Sequence, residues 1–246
     1  MTPASGVRAV VFDFFGTVAG RVGGPGSGDA RVYEAHGYRL DLDREREYFL
    51  RYDGIEHLEH SVDRETYEAW SRFRVGELAR DCGVAPEHIE ALVDDVRALD
   101  TFGIVAYPDA VPTLTELRSR GYLVAICSNW GWDLDLSLAQ AGLTDHLDAA
   151  VTSARAGSRK PHPRIFALAA KTIGVSPSTV VFVGDSMRPD VEGALAVGMA
   201  AVHIARPEAG PPPPLPDGAR RVSSLREMLD WPELARIESG PGAAPH

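Results

Sequence analysis

The chain has 246 residues, 44% of them hydrophobic, enough to bury a sizeable core as one large domain or as a core with an insertion. A formal net charge of −10 leaves no electrostatic footprint for nucleic acid or an anionic membrane surface, so an anionic small-molecule substrate must be met by local cations. Cys82 and Cys127 have neither metal nor redox spacing, no apolar run approaches membrane-spanning length and no signal-peptide pattern precedes Asp13. Together these predict a cytoplasmic location and no nucleic-acid or membrane partner, with the oligomeric state left open.

In chain order, Arg8-Ala-Val-Val-Phe-Asp13 is a short β-branched and aromatic run that reads as a buried strand, broken by Gly16. The stretch from Ala19 to Gly28 is too rich in glycine for helix or strand and reads as a loop. From about Asp29 to Asp100 the apolar residues switch to helical spacing: Tyr48, Phe49, Tyr52, Ile55 and Leu58, then Trp70, Phe73 and Leu78, then Ile89, Leu92, Val93 and Val96. Asp63 reads as the cap of one helix, and Pro86 followed by Glu87 opens another.

An α/β pattern resumes at Val105. Val111 to Arg120 is a helix stopped by Gly121, Tyr122 to Cys127 a strand, and the residues after Ser128 a helix through about Ala141, with Trp130 and Trp132 as packing residues. Ala149 to Thr152, Val180 to Val183 and Ala201 to Ala205 read as strands; Pro163 to Ile173 and Met187 to Val197 read as helices. Pro211 to Pro216 is a surface connector, Ser223-Ser-Leu-Arg-Glu opens a last helix to about Ile237, and residues 238–246 form a disordered tail. Strands separated by helices imply a parallel sheet. The predicted class is α/β, a doubly wound parallel sheet made from residues 1–17 and 104–237, with an all-helical insertion at 18–103.

A lone Asp after a strand ordinarily caps a turn. Here three further stretches carry polar residues at strand ends or beside a glycine loop: Ser128-Asn129, Lys160-Pro161, and Asp185-Ser186 with Asp190. Lysine is scarce, with Lys160 and Lys171 the two in the chain, so Lys160 at such a position is informative. The order and spacing of these motifs resemble the haloacid dehalogenase-like hydrolase superfamily, from Val10 to about Ile204. The resemblance implies a Rossmann-like core with a helical cap between the first and second motifs. It also implies Asp13 as nucleophile toward a phosphoryl group or a carbon. Ser128, with Asn129 and Thr17, would hold substrate oxygens, and Lys160 would neutralise the nucleophile and its adduct. Asp13, the Phe15 carbonyl and Asp185 would hold Mg²⁺, with Asp190 and Ser186 in support.

One position departs from the usual phosphatase pattern. Two residues after the nucleophile, where that pattern has a second Asp as general acid and base, this chain has Phe15. The expectation is a Mg²⁺-dependent phosphohydrolase for a small phosphorylated metabolite, working through an aspartyl-phosphate and restricted toward good leaving groups. A 2-haloacid dehalogenase-type hydrolase, or a catalytically impaired binding or regulatory member, is the alternative. The phosphonatase branch needs a cap lysine, and residues 18–103 have none. Arg21, Arg51, Tyr52 and His57 are the insertion's candidates for substrate selection.

Overall fold

The computed structural model describes residues 6–21, 28–99, 103–206 and 210–236. Its strands are β1 (Ala9–Phe12), β2 (Ala19–Arg21), β3 (Ile104–Ala106), β4 (Leu123–Ser128), β5 (Ala149–Thr152), β6 (Val180–Gly184), β7 (Ala200–Ile204) and β8 (Ala219–Val222). Six of them form one sheet in the order β5-β4-β1-β6-β7-β8, every pair parallel. β1 is central: the chain leaves it for β4 and β5 on one side and later returns to β6 on the other. The strand order therefore reverses at β1, where an open parallel sheet forms its ligand crevice.

Strand alternation sorts the core onto two faces. Val10, Phe12, Val124, Ile126, Val181 and Val183 point to one face. They are covered there by Leu114 and Leu117 of α5 (Ala110–Ser119), by Leu134 and Leu138 of α6 (Leu134–Gln140), and by Leu225 and Met228. Val11, Ala125, Cys127, Val180 and Phe182 point to the other. They meet Ala156 of α7 (Ser153–Ala156), Ile165 and Phe166 of α8 (Pro163–Thr172) and Ala194 of α9 (Gly193–Ala196). Because both faces are buried, the strands read as continuous apolar runs.

Between β2 and β3 the chain is helical: α1 (Gly28–Ala35), α2 (Leu42–Tyr52), α3 (Arg64–Asp81) and α4 (Ile89–Ala98). Asp41 caps α2 by accepting the Asp43 and Arg44 N–H groups, and Asp63 caps α3 by accepting the Thr66 N–H at 2.8 Å. These helices share an apolar cluster of their own, with Tyr33, Leu78, Leu92 and Val93 at its centre. No helix among the described residues is long and apolar enough to cross a membrane.

Three expectations are corrected. The glycine-rich stretch is not all loop: Ala19–Arg21 pairs antiparallel with Ile104–Ala106, register Gly20 to Val105, and the Tyr107 ring packs where a Gly20 side chain would stand. The pairing is imposed by the partner strand rather than by local propensity. Residues 22–27 of that stretch, and the tail at 238–246, lie outside the described residues. The last helix is instead two tight turns, Leu225–Asp230 and Pro232–Leu234, divided by Pro232; the predicted cap is present as Ser224 with Glu227. On the insertion, Phe49 and Phe73 are 46% and 56% exposed, so the aromatic spacing marked helices correctly but not their buried faces.

Candidate active site

Asp13 is the first residue past the end of β1, and its N–H donates to the Val183 carbonyl of β6 at 2.8 Å, so backbone pairing fixes its carboxylate at the sheet rim. Gly16 follows at φ 84°, a left-handed turn in which any side chain would collide with the Asp185 carboxylate. β4 ends on Ser128, whose hydroxyl donates to Asp13 Oδ1 at 2.8 Å. Lys160 Nζ donates to the same oxygen at 2.6 Å and to Asp190 Oδ1 at 2.5 Å. Asn129 clamps the Lys160 backbone from both sides, its amide donating to the carbonyl at 3.1 Å and its Oδ1 accepting the N–H at 2.7 Å. The Ser186 N–H donates to Asp190 Oδ2 at 3.0 Å, so both oxygens of Asp190 have partners.

Asp13, Asp185 and Asp190 bring carboxylate oxygens within 4.8 Å of one another. Burial opposes charge on Lys160, but the Asp13 and Asp190 carboxylates outweigh it and hold its pKa above the ordinary lysine value. Burial pushes Asp190 up to about 6, with Lys160 pulling the other way. Asp185 is raised well above the usual carboxylate range, first by its enclosure and then by repulsion from Asp13 and Asp190. Three carboxylates around one ammonium leave an excess of negative charge at the rim. Asp13, Asp185 and the Phe15 carbonyl, which accepts no backbone hydrogen bond among the described residues, are the hard oxygen donors a divalent cation takes. The residues present therefore fit such an ion.

These groups floor a cavity of about 670 Å³ under α1, α3 and α4. Of the residues expected at the site, Asp13, Phe15, Ser128, Asn129, Lys160, Asp185, Ser186 and Asp190 line it. Thr17 does not. It is fully buried away from the cavity, and its carbonyl accepts from Arg206 Nη2 at 2.5 Å. Asn129 spends its amide on Lys160 and so acts on the site through that residue. Phe15 is 36% exposed and stacks on Trp130, with ring centroids 5.9 Å apart and the Arg21 guanidinium 5.4 Å from its own centroid. Trp130 packs against the core, as expected, but it also walls the cavity.

None of Arg21, Arg51, Tyr52 and His57 is in the lining. Arg51 pairs with Glu77 and Asp81 at 3.9 Å, the Tyr52 hydroxyl donates to Glu77, and His57 is buried against Trp70. The insertion instead presents Arg74 of α3, and the core presents Arg159, the residue before Lys160. Arg74 had a legible signal: it lies on the same helical stripe as Tyr67, Ser71 and Leu78, a cation on an otherwise inward face.

Residues 7–198 match the family profile described as haloacid dehalogenase-like hydrolase. A phosphoserine phosphatase from Thermus thermophilus is 36% identical over 177 residues, covering 67% of this chain and 68% of that protein. An (S)-2-haloacid dehalogenase from Xanthobacter autotrophicus is 31% identical over 214 residues, covering 81% and 76%. Of other curated relatives the chain spans about half the length. Among solved structures, a HAD phosphatase from Thermococcus onnurineus superposes with a TM-score of 0.61 at 28% identity, over 94% of this chain and all of that one.

Proposed function

The chain belongs to the haloacid dehalogenase-like hydrolases, and from that premise we propose that it is a Mg²⁺-dependent phosphohydrolase acting on a small phosphorylated metabolite through Asp13. The observation that carries this reading is the charge arrangement at the rim. Ser128 and Lys160 both hold Asp13 Oδ1, which leaves Oδ2 without a hydrogen-bond partner among the described residues and free to attack. Asp185 beside it is a third carboxylate whose charge burial and its neighbours disfavour, an arrangement that suits a metal-dependent site rather than a metal-free one.

In the reaction, an Oδ2 lone pair forms the O–P bond while the ester oxygen leaves with its electron pair. Water then attacks phosphorus and the Asp13 carboxylate departs unchanged, the proton that the water loses balancing, through solvent, the one that the released alkoxide takes up. Lys160 and Ser128 hold Oδ1 through both steps, limiting rotation of the carboxylate. A bound Mg²⁺ would neutralise phosphoryl oxygens and draw the phosphate toward Asp13. Phe15 offers no proton to the leaving oxygen, so turnover should favour acyl and aryl phosphates over alkyl phosphates. The helices α1 to α4 act as the cap that roofs the cavity.

The dehalogenase reading has one observation in its favour. A carboxylate attacking carbon with loss of halide needs no proton donor, which suits the aromatic Phe15, and a 2-haloacid dehalogenase is among the relatives. A panel of acyl, aryl and alkyl phosphates and 2-haloacids, assayed with Mg²⁺ and with EDTA, separates the readings. Phosphate release that needs Mg²⁺ and disappears in a folded Asp13→Asn variant is the expected result. Haloacid turnover in EDTA with no phosphate release replaces it by the dehalogenase, and no turnover of either class by a binding protein.

A further inference from the structure

Two guanidinium groups stand in the wall of the same cavity, and among the described residues neither has a carboxylate within hydrogen-bond distance. Arg74 and Arg159 are 4% and 8% exposed, both line the cavity, and the Nε of each is buried without a hydrogen-bond partner. Arg74 Nη1 donates to the Tyr48 hydroxyl at 3.2 Å, and its guanidinium lies 4.1 Å from the Trp70 ring centroid. Neither contact cancels its charge. The carboxylate nearest Arg159 is Asp53, at 3.9 Å. Burial first, and then the like charge of Arg74, push the Arg159 pKa down. A guanidinium does not relieve that pressure by losing its proton, so an incoming anion is what relieves it.

The backbone sets the reach. Arg159 and Lys160 are consecutive, with Cα atoms about 3.8 Å apart. Lys160 extends to Asp13, while Arg159 extends to Asp53 on the helical side, where Arg74 also lies. Cations for two separate anions thus open from one point of the chain into one cavity.

We propose that Arg74 and Arg159 form a second anion subsite, so that the substrate is a short phosphate ester carrying a further carboxylate or phosphate on its leaving-group side. The planar forks of two arginines suit either oxyanion bidentately. This assignment rests on the phosphohydrolase reading for which end of the molecule reacts, and on Arg74 and Arg159 alone for the other end.

The test compares esters matched in carbon skeleton: carboxymethyl phosphate with ethyl phosphate, and propane-1,3-diyl bisphosphate with propyl phosphate. In the parent, kcat/KM for the doubly anionic member should exceed its partner by about tenfold or more, and the favoured pair tells carboxylate from phosphate. Arg74→Gln and Arg159→Gln should each erase most of that preference, chiefly through KM, and Arg74→Lys should restore part of it. Calorimetry with phosphonoacetate against ethylphosphonate reads the subsite without turnover, and thermal melts exclude unfolded variants. Because Arg74 also packs on Trp70, Arg159→Gln provides the second, independent variant.

Equal kcat/KM within both pairs, or a preference that survives both Gln variants, overturns the subsite and leaves the phosphohydrolase standing. If no ester is hydrolysed in an Asp13-dependent way, the phosphohydrolase reading fails and calorimetry decides the subsite. A phosphonoacetate preference lost in both Gln variants keeps it; no preference, or no binding, ends it.

Discussion

Phe15 carries an unusual load for one side chain, because the same ring shapes the cavity wall with Trp130 and occupies the position expected to move a proton. Phe15→Asp should raise turnover of alkyl phosphates more than that of aryl or acyl phosphates, with the proton-transfer contribution capping the gain at roughly 10² to 10⁴. Loss of the ring contact with Trp130 will hold the gain below that ceiling. A leaving-group series on both proteins, with melts to confirm folding, checks it; a folded variant that gains on no ester refutes the missing-acid account. Asp185 supports a companion prediction. Mg²⁺ should raise the thermal midpoint of the parent by binding only the folded state, and Asp185→Asn should lose that increment. A parent whose midpoint is the same in Mg²⁺ and EDTA would contradict a metal held by Asp13 and Asp185.

At the scale of elements, β6 and α4 offer contrasting tests. β6 ends on Gly184, where an added Cβ would overlap the Asp190 side chain. Gly184→Ala should cost about 1 to 3 kcal/mol by overpacking and, by shifting Asp190, disturb the lysine that holds Asp13. Hydrolysis should fall further than the melting curve suggests. Leu92 of α4 is fully buried in the helices' own cluster, so Leu92→Ala should cost about 2 to 5 kcal/mol. Amide exchange should then speed up in α1, α3 and α4 before β1, if the helices open as a unit. The central strands were legible because burial on both faces writes itself as Val-Val-Phe and Val-Ala-Ile runs. β8 was not: Ala219-Arg-Arg-Val222 is an edge strand with charged residues, and no apolar alternation announces it. The floor of the candidate site was legible for the same reason as the strands, since Asp13, Ser128 and Asp185 stand at or one residue past the ends of β1, β4 and β6. The upper wall was harder to read: Arg74 shares an inward stripe with Tyr67, Ser71 and Leu78, but Phe73 beside it, the residue that composition marks for burial, faces out.

For the molecule as a whole, acidity should act through the helical layer. Burial first, then the Arg159 and Arg74 charges, lower the pKa of His57 from 6.5 to about 3, and its Nδ1 lies 3.0 Å from the Ser61 hydroxyl. The unfolded chain then binds more protons at this residue than the folded one between those two values, so the stability it contributes is present above pH 6.5 and is lost as pH falls. The window from about 6.5 to 5 lies above most carboxylate titrations but contains that of Asp190, raised to about 6, which slopes the opposite way. His203, also lowered chiefly by burial, slopes the same way as His57, so the difference between the parent and His57→Gln isolates His57. Denaturant midpoints that fall equally with pH in both proteins would exclude this role. The placement of the two lysines has a further consequence, for labelling chemistry. Lys171 is exposed on α8, whereas Lys160 is 2% exposed and clasped between two carboxylates. An amine-acylating reagent should therefore tag Lys171 promptly and Lys160 only when the roof lifts. The ratio of the two tags, read by peptide mass, becomes a clock for that opening, and a tight ligand at Asp13 should slow it.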